Sequence, residues 1–509
     1  MLQSPALTTD RARWHAHALL FLCVSFVTRA VVLPVRIVDI DESSHLTAAW
    51  VLRAGGRLYV DAADHKPPLV FLYYALTQVF GHGMLSVRLV THVVWVPLTA
   101  LAVSRLWADE RRQRIAGLVF LLASVSFFGH DTLAVNTELL GLLPMALALV
   151  AVRDTERLAR PGALMAAGVL VGCACLFRYQ LGVALPAIAI GAGLAVPSWR
   201  LRLRACLLLG AAFLVPELAA WLLFAVRGSG SAYLYWNFAH NLAYTSSGLT
   251  ASEIAGRVIR YPVPILLTLL PLIGLAWRGR ADLERPVAGM LGALAIGIFA
   301  AGFLGWRVYP HYFLPLVVPL AIAAAPCLGA LVLPARGRAG RWLAGYGVGI
   351  VAAQVVVTAW LYSGHARAQQ ETRPVFDRVA ERLKRDPCYQ GARLFVWGYA
   401  PMFYTASDLL PASRFLYVDT TLVGHVSAHD RLQPELIRPD HWEQLMSDLS
   451  RHPPAFVLDA AGARLARWSV PMSRHSRMQT FVQSRYDPLV VTDRVIIYRR
   501  HGCAAGVAG

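Results

Sequence analysis

Charged residues are scarce in this sequence, and lysine is almost missing. Of its 509 residues 15% are charged and 57% are hydrophobic, and the mean hydropathy is +0.50. A water-soluble protein of this size cannot bury that share of apolar side chains, so the composition excludes a soluble globular chain and indicates a membrane protein. All but two of the 48 basic residues are arginine, and Lys66 is one of the two lysines.

A nucleotide-binding fingerprint is also lacking. The C-terminal part has no Gly-rich phosphate-binding pattern, which argues against a nucleotide site there. The chain has no convincing internal repeat or low-complexity tract. The net charge of +18 follows from arginines in short loops and suits attraction to anionic membrane lipids, so nucleic acid is not expected as a partner.

Long apolar runs recur up to about residue 363 and then stop. Each is long enough to approach the hydrocarbon thickness of about 30 Å. Eleven spans are predicted, near 15–38, 86–106, 115–129, 134–152, 163–177, 180–196, 205–226, 261–277, 287–305, 312–333 and 342–363. The apolar segment Pro67–Phe80 is too short to span comfortably and suits a helix at the membrane interface.

The arginines of the short loops predict the orientation. With a cytoplasmic N-terminus, all five inward loops are basic, and the part after the last span lies outside. We therefore predict an α-helical polytopic membrane domain over 1–365 and an extracytoplasmic α/β domain over 366–509. The predicted outer loops cover 39–85, 129–138, 227–260 and 305–311.

The C-terminal part alternates helix and strand patterns. Apolar residues every four positions predict a helix over Thr372–Asp386, and "HWEQLMSDLSRH" predicts another. The strand candidates are "ARLFVWG", "RFLYVD", "AFVLDA" and "RVIIYRR". This alternation indicates a small α/β domain. Cys388 and Cys503 flank its strands, and an oxidising compartment would allow them to form a disulfide.

Polar residues of unusual type gather on the predicted outer face. They are Asp39, Asp41, Glu42, His45 and Lys66 in the first outer loop, Glu138 at the second, Arg178 and Tyr179 in the third, Asn237, Asn241 and Tyr244 in the fourth, and Arg307, His311 and Tyr312 in the fifth. Glu138 lies at membrane level, where an ionisable group is costly and by default a functional candidate. The fourth loop is rich in aromatic, amide and hydroxyl groups, which is typical of saccharide-binding surfaces.

Sugar transfer from a lipid phosphate fits this set of residues. Nucleotide sugars are cytoplasmic, so a reaction on the outer face needs a donor that the membrane carries. A polyprenyl phosphate leaving group needs neutralisation of its charge more than it needs a proton, and cations such as Lys66 and Arg178 can supply it. One carboxylate can then accept the proton of the acceptor hydroxyl, and we assign that role to Asp41. A glycosidase would need two carboxyl groups in matched roles.

Several motifs resemble those of a known superfamily. "DE" at 41–42 follows the first span, and "KPP" at 66–68 follows about two dozen residues later and leads into the interfacial helix. Supporting motifs are "NTE" at 136–138, "FRYQ" at 177–180 and "YPHYFLPLVVPLA" at 309–321. Together they resemble the type C glycosyltransferases, in the branch of protein O-mannosyltransferases and the lipid A aminoarabinose transferase. The segment 395–415 is similar to the exported domain of some bacterial members.

The resemblance implies roles for matching positions. Asp41 corresponds to the proposed catalytic base, Glu138 to an acid in the same cavity and Lys66 to the ligand of the lipid phosphate. Arg178 is a weaker correspondence. We group Glu42 with the catalytic acids and Arg307 with the phosphate ligands, and we expect substrate contacts from Tyr179, His311, Tyr312, Asn237, Asn241 and Tyr244.

One departure concerns metal binding. The lipid A branch tends to place a glutamate directly before the lysine, where a metal can bind, whereas this chain has His65. A metal site built from Asp64, His65 or His311 stays open, although we expect catalysis without a metal and no required cofactor.

The sequence thus predicts a glycosyltransferase of the bacterial cytoplasmic membrane, and the resemblance implies that it inverts the anomeric configuration. Its donor is a polyprenyl-phosphate sugar, and its acceptor is a hydroxyl group of a lipid, a glycan or a protein. One alternative is a transporter or flippase of lipid-linked sugars, which would place polar residues near the midplane and break matching spans. A non-catalytic relative with the same fold would lack Asp41 or Lys66, and both are present.

Overall fold

The chain is described by a computed structural model. It describes residues 5–35, 37–81, 83–126, 133–245, 249–329, 375–418, 420–424, 434–463, 470–492 and 494–503, and a few single positions between 345 and 360. Within these ranges a bundle of apolar helices precedes a C-terminal α/β domain, as the sequence predicts. The predicted boundary at 365 and most of the eleventh predicted span lie outside the described residues.

The helices of the membrane domain are mostly apolar and joined by short loops. They are α1 (Pro5–Arg29), α2 (Ile40–Arg53), α3 (Pro68–Thr77), α4 (Met84–Ser104), α5 (Glu110–Ser126), α6 (Thr137–Ala151), α7 (Thr155–Ala159), α8 (Pro161–Cys175), α9 (Ala184–Ala195), α10 (Trp199–Val226), α11 (Gly230–Leu234), α12 (His240–Thr245), α13 (Ala251–Arg260), α14 (Pro262–Gly279), α15 (Arg285–Ala301) and α16 (Val317–Gly329). A π-helical turn, Thr91–Trp95, lies within α4, and another, Tyr235–Ala239, joins α11 to α12.

Each of the first ten predicted spans coincides with a helix. Five described stretches are long and apolar enough to cross a membrane, namely Trp14–Val32, Met84–Ser104, Trp199–Val226, Ala251–Asp282 and Pro310–Gly329. Five shorter apolar helical stretches accompany them, namely Pro68–Phe80, Thr137–Ala151, Pro161–Cys175, Tyr179–Ala195 and Arg285–Ala301. A helix shorter than about 17 residues crosses a bilayer of ordinary thickness only with help from its flanks or from local thinning.

Close packing of α8 against α10 depends on a small residue. A Cβ atom at Gly172 would lie 2.5 Å from the carbonyl oxygen of Phe213 and 2.4 Å from Pro216 Cγ. Any larger side chain would therefore push the two helices apart. Small residues at such positions let helix backbones approach each other in the membrane, where packing replaces the hydrophobic effect as the driving force.

Helices α2 and α3 shape the first outer loop. Asp39 caps α2 by accepting a hydrogen bond from the Asp41 backbone N–H at 3.0 Å, a favourable arrangement at the positive end of a helix. Pro68 opens α3, where its missing N–H costs nothing. The Leu69 N–H donates to the Leu176 carbonyl at 3.0 Å and so ties α3 to the "FRYQ" turn.

The segment 227–260, predicted as an outer loop, is largely helical. It contains α11, the following π turn, α12 and α13. Thr250 and Glu253 form a reciprocal capping box at the start of α13, and the spacing of a threonine and a glutamate three residues apart is a helix-start signal that the sequence carries.

A five-stranded sheet organises the C-terminal domain. Its strands are β1 (Arg393–Trp397), β2 (Leu410–Pro411), β3 (Phe456–Asp459), β4 (Tyr486–Thr492) and β5 (Val495–Arg500), in the spatial order β2-β1-β3-β5-β4. Strand β1 pairs in parallel with β2 and β3, and β5 pairs antiparallel with β3 and β4. Residues 375–384 are helical, and further helices are Met402–Ser407, Thr420–Val423, Pro439–Arg451 and Ser476–Gln483.

One predicted strand is wrong and one strand was missed. "RFLYVD" forms no strand of the sheet, because Phe415 makes an isolated bridge to Ala63 of the first outer loop instead. Strand β4 was not predicted. A disulfide joins Cys388 and Cys503, whose Cα atoms are 5.7 Å apart.

The C-terminal domain is docked on the outer loops. The Ala63 N–H donates to the Arg414 carbonyl at 2.8 Å, and Tyr235 OH lies 2.7 Å from His441 Nε2. One apolar cluster combines Tyr59 of the first outer loop and residues of the π turn with Phe415 of the C-terminal domain. The outer loops and the C-terminal domain thus form one packed unit.

Candidate active site

Asp41 and Lys66 form an ion pair on the face that the sequence predicts to be the outer one. Asp41 lies in the first turn of α2, Lys66 lies directly before "PP", and Lys66 Nζ is 3.1 Å from Asp41 Oδ2. The lysine backbone is fixed on both sides, because its N–H donates to Asp64 Oδ1 at 3.1 Å and its carbonyl accepts from Tyr59 OH at 2.9 Å. Ser44 of α2 holds Asp64 with a bond of 2.9 Å. The fold therefore fixes the backbone from which the ammonium group reaches Asp41.

The electrostatics keep this pair ionised. Burial disfavours the charged form of Asp41, but the Lys66 ammonium together with His45 and His311 outweighs it, and the pKa of Asp41 is held well below its usual range. Burial likewise opposes the charge of Lys66, but Asp41, Asp64 and Tyr312 together outweigh it and raise the pKa of Lys66 above its usual value. Burial lowers the pKa of His45 to about 4, so this neighbour is neutral at neutral pH. Asp41 is thus a carboxylate at neutral pH.

Glu138 and Arg178 form a second ion pair beside the first. Arg178 Nε is 3.1 Å from Glu138 Oε1, and His311 Nε2 is 3.8 Å from the same oxygen. The Arg178 guanidinium stacks over the Tyr312 ring, 4.4 Å from its centroid, a geometry that favours a cation. The positive charge of Arg178 lowers the pKa of Lys66 and so acts against the rise that Asp41 causes. The two ion pairs therefore influence one another electrostatically.

The fourth outer loop surrounds the Lys66 segment. Tyr179 OH donates to Asn237 Oδ1 at 3.1 Å, and Asn241 Nδ2 donates to the His65 carbonyl at 2.9 Å. Tyr59, which holds the Lys66 carbonyl, also reaches Asn237 Oδ1 at 3.4 Å. The two asparagines therefore support the Lys66 backbone. The side chain of Tyr244 lies outside the part of the chain that the structure describes.

The Glu42 side chain is buried and does not open onto the site formed by Asp41 and Lys66. Its side chain is fully buried, with Oε2 2.5 Å from Arg88 Nη2, and Oε1 accepts from the Val135 N–H at 2.9 Å. Arg88 also donates to the Val32 carbonyl at 2.9 Å. Arg88 was missed in the sequence, although an arginine inside a predicted span is itself a signal.

Arg307 lies on a strained turn after α15. Its neighbours Trp306 and Val308 have positive φ angles of 56° and 45°, which non-glycine residues rarely adopt. Arg307 is 3% exposed, and its carbonyl accepts from Arg257 Nη1 at 3.3 Å. Its role as a phosphate ligand stays a prediction.

The residues suggested for a metal do not converge with a third ligand. His65 Nδ1 lies 3.7 Å from Asp64 Oδ1, but within the described ranges no group of three or more His, Cys, Asp or Glu side chains could hold a metal ion. Catalysis without a metal stays a prediction.

Comparisons with known proteins agree with the motifs. Residues 64–224 match the family model described as dolichyl-phosphate-mannose-protein mannosyltransferase. This segment contains Lys66, Glu138 and Arg178 and begins after Asp41. The undecaprenyl phosphate-alpha-4-amino-4-deoxy-L-arabinose arabinosyl transferase of Pseudomonas savastanoi pv. phaseolicola is 28% identical over 290 residues. The match covers 54% of this chain and 53% of that protein, so the chain aligns with about half the length of this relative.

Solved structures share the fold over almost the whole chain. ArnT from Cupriavidus metallidurans bound to undecaprenyl phosphate superposes with a TM-score of 0.60 at 18% identity, covering 96% of this chain and 98% of that one. The apo form of the same protein gives a TM-score of 0.58 at 16% identity, covering 94% and 97%. Arabinofuranosyltransferase AftD from Mycobacteria gives 0.50 at 15% identity, covering 96% of this chain and 41% of that one. The predicted resemblance to type C glycosyltransferases and the predicted fold class are confirmed.

Proposed function

We propose that this chain, which has the fold of the type C membrane glycosyltransferases, transfers a sugar from a polyprenyl-phosphate donor to an acceptor hydroxyl on the outer face of the bacterial cytoplasmic membrane. The observation that carries the proposal is the 3.1 Å contact between Lys66 Nζ and Asp41 Oδ2. It joins a cation suited to a lipid phosphate with a carboxylate suited to act as a base. The names of the relatives support undecaprenyl phosphate as the lipid of the donor.

Lys66 and Arg178 are the proposed ligands of the donor phosphate. The compact ammonium of Lys66 can approach a single phosphate oxygen, while the planar guanidinium of Arg178 is held in place by Glu138 and Tyr312. A bound phosphate would draw Lys66 away from Asp41. Donor binding would then free the carboxylate for the acceptor.

The transfer itself needs one base and one leaving group. Asp41 accepts the proton of the acceptor hydroxyl as the hydroxyl oxygen forms its bond to the anomeric carbon. The bond from that carbon to the phosphate oxygen breaks, and the polyprenyl phosphate leaves with the electron pair. Lys66 and Arg178 neutralise the charge that develops on the phosphate. Attack on the side opposite the phosphate inverts the anomeric configuration.

Two of the predicted catalytic acids receive positioning roles instead. Glu42 is fully buried against Arg88, so no substrate hydroxyl reaches it, and it holds the start of α2 in place. Glu138 is 2% exposed and paired with Arg178, so it orients that cation.

A strain that lacks the gene tests the donor and the base together. We expect mass spectrometry to find one polyprenyl-phosphate sugar in excess and one sugar missing from an envelope glycan. The unaltered chain should restore the glycan. Asp41→Asn should not, because it removes basicity with little change in volume, whereas Asp487→Asn at the exposed end of the C-terminal sheet should. Unchanged lipid-linked sugars would refute the donor, and full restoration by Asp41→Asn would refute the base.

Purified protein separates this function from a flippase. In detergent there is no bilayer to cross, so a transferase should still move the sugar from undecaprenyl phosphate to an acceptor-bearing envelope fraction, whereas a flippase should not. Failure of the unaltered chain to transfer under these conditions, with lipid binding intact, would favour the flippase.

A further inference from the structure

The C-terminal ends of the parallel strands β1 and β2 face Asp41. Tyr399 lies two residues after β1, and its hydroxyl is 3.4 Å from Asp41 Oδ1, within reach of a hydrogen bond. Tyr417 follows β2, and its ring meets that of Tyr399 edge to face with centroids 4.5 Å apart. The Val418 N–H donates to the Gly398 carbonyl at 3.2 Å and holds these two loops together. In open α/β sheets, ligands bind at the carboxyl ends of parallel strands.

Contacts on two sides of the site fix this edge in place. On one side, the Ala63 N–H bonds to the Arg414 carbonyl at 2.8 Å, three residues before Lys66. On the other, Thr47 Oγ1 of α2 lies 3.4 Å from the Pro401 carbonyl. The position of Tyr399 relative to Asp41 therefore follows from one backbone contact near Lys66 and one side-chain contact from α2.

The two oxygens of Asp41 face different surroundings. Oδ2 contacts the Lys66 ammonium, and Oδ1 faces the Tyr399 hydroxyl. A donor phosphate belongs on the cationic side, so an acceptor hydroxyl has to approach the carboxylate from the aromatic side. Both tyrosine rings are only partly buried, so each keeps surface for a ligand.

We propose that the C-terminal domain forms the acceptor wall of the active site, where Tyr399 orients the Asp41 carboxylate and the Tyr399–Tyr417 pair binds a sugar ring of a carbohydrate acceptor. Aromatic faces pack against the apolar C–H faces of sugar rings, while the phenol hydroxyls supply hydrogen bonds. This assignment rests on the proposed function and adds the class of acceptor to it.

The test uses the purified full-length chain with two readouts. One is binding of undecaprenyl phosphate, which reports on the donor side alone. The other is transfer of labelled sugar from undecaprenyl phosphate to graded amounts of the envelope fraction from the deletion strain. The variants are Tyr417→Ala, Tyr399→Phe and, as a matched control on β5, Tyr498→Phe.

Tyr417→Ala should raise the KM for the acceptor fraction by about fivefold, because it removes one aromatic contact, with undecaprenyl phosphate binding unchanged. Tyr399→Phe should lower kcat by about threefold through loss of one hydroxyl. It should also shift the acid limb of the pH profile upward by about half a pH unit, because a donated hydrogen bond favours the ionised carboxylate. A purely structural role of Tyr399 would leave the pH profile unmoved. Tyr498→Phe should match the unaltered chain.

The proposal is overturned if Tyr417→Ala and Tyr399→Phe leave both the acceptor KM and the pH profile unchanged. It is also overturned if digestion of the envelope fraction with protease, but not with glycosidases, removes the acceptor, since the acceptor would then be a protein. Failure of the proposed function looks different. In that case the unaltered chain itself would transfer no sugar.

Discussion

Lys66 occupies a position where both its backbone and its charge are constrained. Its ammonium lies 3.1 Å from Asp41 and 3.5 Å from His65 Nε2, while its main chain is bonded to Asp64 and Tyr59. A snorkelling cation would need none of these contacts and would be an arginine in this chain. The fixed main chain leaves little freedom to fit a longer, planar group.

Lys66→Arg should therefore reduce transfer by about tenfold although the charge is kept, because the fork of arginine cannot reproduce a single point contact. The matched control is Lys384→Arg, since the other lysine pairs with Asp408 on the exposed side of the C-terminal domain. The measurement is the rate of sugar transfer by each variant at a saturating concentration of the undecaprenyl-phosphate sugar donor. Equal rates for both variants would mean that Lys66 only anchors the loop.

The Asp41–Lys66 pair also predicts a pH dependence. Lys66 holds the pKa of Asp41 well below its usual range, whereas burial alone would raise it. The unaltered protein should therefore keep Asp41 ionised in mildly acidic solution. In Lys66→Gln the pKa of Asp41 rises to the usual range of a carboxyl group or above it. The residual activity should therefore fall as the pH drops into that range, because Asp41 becomes protonated. Residual transfer between about pH 4 and pH 8 measures this, and an acid limb at the same pH in both proteins would contradict it.

At the scale of elements, the buried pair of Glu42 and Arg88 joins three parts of the fold. Glu42 is on α2, Arg88 is on α4, and both Glu42 oxygens are also within reach of backbone N–H groups at Val38 and Val135. Two charges without exposed surface are stable together but not singly.

Glu42→Ala should destabilise the protein by about 3–5 kcal/mol, because it leaves the Arg88 charge buried without its partner. Thermal unfolding of the purified chain in detergent measures the loss. Glu156→Ala breaks an exposed pair with Arg160 and should change stability by less than about 1 kcal/mol. The double variant Glu42→Met with Arg88→Met should recover part of the loss. Full stability but no transfer in Glu42→Ala would instead restore Glu42 to the catalytic acids.

Elements that depend on local pattern could be predicted from the sequence. Membrane helices show themselves as long apolar runs, and three of the four strand candidates match β1, β3 and β5 because buried strands are also short apolar runs. The fourth candidate fails because Phe415 pairs with Ala63, far away in the chain. Strand β4 was not predicted because only one of its seven residues is buried and because it contains Pro488, which is unusual within a strand.

The sequence predicts which motif residues form the candidate site, but it does not predict their contacts with distant segments. Asp41, Lys66, Glu138 and Arg178 stand in short motifs, and the fold brings all four together. Tyr399 shares no motif with Asp41 and meets it only through the docking of the C-terminal domain. Such contacts depend on the relative position of distant segments, which no local pattern encodes.

At the scale of the whole molecule, the disulfide between Cys388 and Cys503 bears on the orientation. It spans 115 residues of sequence, and such bonds form in oxidising compartments. It therefore supports the proposed outer location of the C-terminal domain.

Protein taken from membranes without reductant should yield the two cysteine peptides linked, as seen by mass spectrometry. Cys388→Ser should destabilise the C-terminal domain by about 4–5 kcal/mol, because the bond closes a long loop. Cys206→Ser alters an exposed free cysteine on α10 and should have little effect. Reaction of both Cys388 and Cys503 with a maleimide in unreduced protein would contradict an outer location.

The contact between Asp41 and Tyr399 joins positions 358 residues apart. A ribosome adds about 5–20 residues per second, so Asp41 and Lys66 are synthesised tens of seconds before their aromatic partner Tyr399. Until the C-terminal domain has folded against the first loop, the proposed acceptor wall is incomplete. A translation product that stops before Tyr399 would therefore lack the proposed acceptor wall, and the proposed sugar transfer would have to wait for the C-terminal domain.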